Sequence, residues 1–98
     1  MLYSLTDKLS FEDNPMIEIN GEVIHVKADA MTVLQLMDVV SKKGEVEGAV
    51  EATKLLFSEA DREKLSAMNL SMKDYIVVVS TAITLAVGED PDDMTEGE

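Results

Sequence analysis

The sequence predicts an α+β fold: a short N-terminal β-hairpin packed on a mostly helical domain of about four helices, followed by a disordered acidic C-terminal tail. Three observations carry that expectation. Two β-prone runs flank Asn20-Gly21, and from Ala28 the apolar spacing changes from a two-residue to a helical period. The last ten residues, Glu89–Glu98, hold six of the twenty acids and no base. At 98 residues the chain suffices for one small domain and not for two. It divides into an arm or edge strand over 1–15, one globular domain over 16–88, and the tail over 89–98.

Met1–Pro15 places Tyr3, Leu5, Leu9 and Phe11 on alternate positions, with Asp7 breaking the series. Such alternation suits a strand with one buried face, so the segment reads as an edge strand or as an arm that reaches a neighbour. Asn14-Pro15 marks a turn. The hairpin follows over Met16–Lys27. Asn-Gly tolerates the positive φ that both central residues of a type I′ loop require. That loop pairs Ile19 with Glu22, Glu18 with Val23, Ile17 with Ile24 and Met16 with His25. One face then carries Ile17, Ile19, Ile24 and Val26, and the wetter face carries Met16, Glu18, Val23, His25 and Lys27. Two strands alone are marginal in water, so the apolar face has to pack on something else.

Asp29 is placed to cap a first helix over Ala30 to about Lys43. Val33, Leu34, Met37 and Val40 share a face, Lys42-Lys43 sit in the last turn, and Gly44 is placed to end it. A second helix is expected from Glu45 to Phe57, with Val46, Ala49, Val50, Thr53 and Phe57 as its inward stripe. Gly48 weakens its first turn by up to about 1 kcal/mol relative to alanine. Ser58-Glu-Ala-Asp61 and Ser71-Met-Lys-Asp74 both read as aspartate versions of the capping box, opening a short helix to about Met68 and a longer one to Val87. Gly88 follows the last helix and Pro91 forbids its return.

Charge narrows the function classes. Twenty Asp and Glu against eight Lys and Arg give −12, the wrong sign for a phosphate backbone or an anionic membrane surface. The chain has no cysteine, which excludes disulfides, thiolate nucleophiles and Cys-based zinc sites. The longest apolar stretch, Tyr75–Val87, covers 13 residues against the roughly 20 that span a bilayer. Met1–Phe11 lacks the pattern of a secretory signal. The expectation is a soluble, cytoplasmic protein.

No constellation points to catalysis, a cofactor or a metal. His25 is the only histidine. A general base needs a nucleophile and an orienting carboxylate; Glu18 lies diagonally near on the same hairpin face, but no serine stands in a nucleophile motif. His25 therefore reads as a solvated strand residue. The acids of the tail fail the spacing of a calcium loop: counted from Asp90, position five is Met94 and position six is Thr95. The glycines form no phosphate-binding pattern. The chain reads as a non-enzyme that works by binding protein.

Two features support that. Seven methionines are unusual for this length, and Met31, Met37, Met68 and Met72 fall in or beside helices, where they serve as core filler or as adaptable contact surface. The last helix is apolar over most of its circumference and so has to be covered on several sides. Tyr3, Leu5, Phe11, Met37, Met68, Met72, Val79 and Ile83 are the candidate partner or self-association surface.

The hairpin Ile17-Glu-Ile-Asn-Gly-Glu-Val-Ile24, the Lys54-Leu-Leu-Phe57 segment and a long apolar helix ending at Gly88 before an acidic tail form a recognisable series. It resembles the small tail assembly chaperones of long-tailed bacteriophages of the siphophage type, over roughly Met16 to Asp93. The Met1–Pro15 extension departs from that pattern. The resemblance implies a non-enzymatic protein of the host-cell cytoplasm that binds the tape-measure protein, helps to recruit tail-tube subunits, forms a homo-oligomer and often has a longer frameshifted form. The competing reading is a small acidic regulatory or inhibitory module for one basic partner.

Overall fold

The computed structural model describes residues 1–10 and 13–89. An N-terminal hairpin of β1 (Met16–Ile19) and β2 (Glu22–His25) is followed by α1 (Ala30–Lys42), α2 (Glu45–Leu56), α3 (Glu59–Ala67) and α4 (Met72–Ala86). This is the expected α+β architecture. The expected tail lies outside the described residues from Asp90 onward, as do Phe11 and Glu12.

The hairpin has the predicted register at all four pairs, Met16–His25, Ile17–Ile24, Glu18–Val23 and Ile19–Glu22. Asn20 and Gly21 take φ of 51° and 87°, the left-handed backbone of a type I′ loop. Ile24 and Val26 are fully buried, with Ile17 and Ile19 packed against them. In this register His25 N–H and Val23 C=O point away from β1, and α3 answers both. Asp61 Oδ2 accepts from His25 N–H at 2.9 Å, and Lys64 Nζ donates to Val23 C=O at 3.2 Å. Lys27 N–H donates to Leu56 C=O at 2.8 Å. The outer edge of β2 is thus covered by helix rather than by a third strand.

That arrangement corrects two expectations. Among the described residues the segment before Asn14 is not a strand: the sheet has two strands, and residues 1–10 are exposed throughout, with one 3₁₀ turn at Thr6–Lys8. The carboxylate beside His25 is Asp61, 3.6 Å from Nδ1, and not Glu18, whose Oε2 instead accepts from Gly21 N–H.

The helix caps follow the sequence closely. Asp29 accepts from Thr32 N–H and from the Thr32 hydroxyl, and these two bonds hold its carboxyl below the usual carboxylate range. Ser58 and Ser71 accept from Asp61 N–H and Asp74 N–H. The reciprocal arm of each box is missing: Asp61 turns to the hairpin, and the Asp74 carboxylate makes no hydrogen bond among the described residues. At the far end of α4, Gly88 has φ of 90°. Its N–H donates to Leu85 C=O and Glu89 N–H donates to Thr84 C=O, both at 3.0 Å. This is a Schellman closure.

Gly44 does not end α1 in the left-handed region as expected. Its φ is −70° and it stands as the N-cap of α2, while Lys43 leaves α1 in an extended conformation. Val33 and Phe57 turn inward as expected, but the rest of the inward face of each helix differs from the expected one. In α1 the buried residue is Leu36, with Val33 and Val39 half-buried beside it. Leu34, Met37 and Val40 are exposed. In α2 the inward residues are Gly48, Ala52 and Leu56, with Phe57 buried just beyond the last turn, whereas Val46, Ala49 and Val50 face outward. The core joins Ile24, Val26, Leu36, Leu56, Phe57 and Leu65 to Val78, Ala82 and Ala86 of α4.

Candidate protein-binding groove

The outward face of α2 does not meet open solvent alone. Val46, Ala49 and Val50 form one wall of a groove whose other wall is α4, through Met72, Ile76 and Ile83, with Val79 at its floor. Val40, Lys43 and Gly44 line the end nearest the α1–α2 turn. The cavity is about 850 Å³, within the size range of a site for a bound molecule or a peptide side-chain cluster. Tyr75 fixes the spacing of the two helices: its hydroxyl donates to Thr53 Oγ1 at 2.8 Å, and the Thr53 hydroxyl donates in turn to Ala49 C=O at 2.9 Å.

The rim is strongly apolar. Val46 is 80% exposed, Met72 73% and Ile76 54%, so side chains that water disfavours stand around the opening. Thr53, Tyr75 and Ser80 add neutral polar groups, and the charged residues of the lining are all cationic. Lys54 and Arg62 contribute to the lining, and Arg62 is the only arginine of the chain. Its Nε is buried and has no hydrogen-bond partner among the described residues. Lys43 lies 3.5 Å from Glu47. An occupant matched to this surface carries several apolar anchors and an anion.

Three of the candidate residues meet here: Met72 on the rim, Val79 buried at the floor, and Ile83, which also packs against the core. Tyr3 and Leu5 are exposed on the arm, away from the groove lining. Met37 is exposed on α1, where Met31, Leu34 and Val40 continue an apolar ridge at three-residue spacing. Met68 is half-buried against the core. Phe11 lies outside the described residues. Groove residues that sequence reasoning missed include Val46, Ala49 and Val50, assigned to the core, Ile76, not singled out on the apolar last helix, and Arg62, whose only signal was its rarity.

Among the described residues no three His, Asp or Glu side chains are grouped as metal ligands would be, and no helix is long and apolar enough to cross a membrane. No family model matches the chain, and neither does a curated protein or a solved structure.

Proposed function

We propose that this chain is a non-enzymatic tail assembly chaperone of long-tailed bacteriophages, working in the host-cell cytoplasm as a homo-oligomer. In this reading it binds the tape-measure protein and tail-tube subunits during tail morphogenesis. The observation that carries the reading is the apolar groove between α2 and α4, taken with the hairpin Ile17–Ile24 on which the resemblance rests. A long, aggregation-prone client exposes apolar helix faces. A groove of this shape takes such a face through anchors spaced one helical turn apart. Met72 on the rim adapts to anchors of different shape. The net charge of −12 keeps the loaded complex in solution while apolar surface is in use.

Co-expression with a tape-measure protein tests this. The client should remain soluble and co-purify with the chain, and Ile76→Asp, an exposed rim substitution, should abolish both while leaving the helical circular dichroism intact. Binding through apolar surface should persist as salt is raised. A complex that dissociates steeply with salt would instead favour the acidic regulatory module with a basic partner. A client that precipitates whether or not the chain is present would overturn the chaperone reading.

A further inference from the structure

The fold treats the two edges of the hairpin differently. On β2 the outward groups, Val23 C=O and His25 N–H, are both taken by α3. On β1 the register turns Ile17 and Ile19 toward β2, and Pro15 C=O continues the ladder by accepting from Val26 N–H. Alternation then points the N–H and C=O of Met16 and Glu18 outward. Among the described residues none of these four groups has a hydrogen-bond partner, and both residues are exposed, Met16 at 62%. Lysine, proline and bulges are devices by which edge strands refuse a neighbour. Met16–Ile19 has no lysine or proline, and its pairing runs without a bulge. Its one charge, Glu18, is drawn toward the loop, where Oε2 accepts from Gly21 N–H at 3.1 Å. The apolar face is also thinly covered on this side. Ile24 and Val26 are fully buried, whereas Ile17 and Ile19 are only partly so.

We propose that this edge pairs with the same edge of a second copy, β1 antiparallel to β1 about a two-fold axis at Ile17, so that the two hairpins form one four-stranded sheet. The open groups set the register. With Met16 opposite Glu18 of the second copy, the outward residues of both copies meet, and four main-chain hydrogen bonds satisfy all of their open groups. A shift of two residues one way sets Glu18 opposite Glu18, which like charge disfavours. The same shift the other way moves the pairing off the strand onto Asn14, whose side chain is already held by Ala28 N–H. Main-chain bonding alone accepts any extended segment, but β1 also matches itself in side chains. Ile17 meets Ile17 across the axis on the apolar face, and no charge faces a charge. The contact uses the same residues on each copy, so the assembly closes at two. No hairpin residue lines the α2/α4 groove, and both grooves stay open to a client. The inference deepens the self-association part of the reading above and rests on that part alone.

Light scattering and amide hydrogen exchange of the full chain test it, at a salt concentration that screens the −12 carried by each copy. The mass should be twice the 10.7 kDa of one chain. Exchange at the Met16 and Glu18 amides should slow as concentration rises, while Ile17 and Ile19, already bonded to β2, should change little. Glu18→Pro removes an outward N–H and leaves the groups bonded to β2 in place, and it should give single chains. Met16→Glu puts like charges opposite each other twice over without touching the hairpin ladder. It should raise the dimer dissociation constant about two- to thirtyfold, and adding Glu18→Lys should bring it back. A full chain that stays single at high micromolar concentration would overturn the proposal. So would an assembly of any size whose Met16 and Glu18 amides exchange as fast as in dilute solution, or a charge swap that recovers nothing. Ile76→Asp, which removes client binding in the reading above, should leave the dimer intact, so either proposal can fail alone.

Discussion

Asp61 is the one buried charged residue among those described, at 5% exposure, and its partners account for it. The serine three positions earlier receives the Asp61 N–H, which frees the carboxylate to leave the helix and accept from His25 N–H. Lys64 stands 3.7 Å from the other carboxylate oxygen. One side chain therefore fastens the outer edge of β2 to α3. Asp61→Ala leaves the His25 N–H without its acceptor and should lower stability by about 1–3 kcal/mol, measured as a reduced urea midpoint at constant m-value. Asp61→Asn retains an acceptor and should recover most of the loss. Equal effects of the two would show that the edge bond contributes nothing. The serine arm of the motif was legible in Ser58-Glu-Ala-Asp61. The destination of the aspartate was not, because its partner lies 36 residues away in sequence.

At the scale of elements, α1 illustrates why periodicity fixes a helix more firmly than its orientation. Its apolar residues come in adjacent pairs, Val33-Leu34, Leu36-Met37 and Val39-Val40. Each pair offers two neighbouring stripes, and the spacing alone cannot choose between them. Packing on α2 selects the first of each pair, leaving Leu34, Met37 and Val40 outside. In α2 the choice falls on small residues, Gly48 and Ala52, and the valines turn to the groove. A Cβ built at Gly48 would meet the Lys43 Cβ at 3.7 Å, an ordinary contact, and its backbone is helical. Gly48→Ala should therefore stabilise the fold by about 0.5–1 kcal/mol through the lower conformational freedom of the unfolded chain. The thermal midpoint should rise by several degrees for a domain of this size. A fall would mean that α1 and α2 approach more closely than this contact implies.

The whole molecule carries more exposed apolar surface than its own core can absorb. The arm, the α1 ridge and the groove rim all remain to be covered, which supports a protein whose function is to bind protein. Charge works against compaction. Truncation after Glu89 preserves the Glu89 N–H bond to Thr84 C=O and removes five acids and no base, taking the net charge from −12 to −7. Reduced self-repulsion should leave the thermal midpoint unchanged or slightly raised. A drop of many degrees would show that the tail is docked on the domain.

Local chemistry alone determined the hairpin and its register, through the φ demands of Asn20-Gly21, and the starts of α1, α3 and α4, through Asp29, Ser58 and Ser71. It also determined the end of α4 at Gly88. These features depend on groups within a few residues of one another, so the sequence states them directly. The inward faces of α1 and α2, the partner of Asp61 and the groove with Arg62 in its lining were decided only by the tertiary structure. Each depends on which of several equally apolar or equally charged side chains a distant element happens to meet. Burial is assigned by that meeting, and a linear pattern with more apolar residues than one core can hold leaves it open.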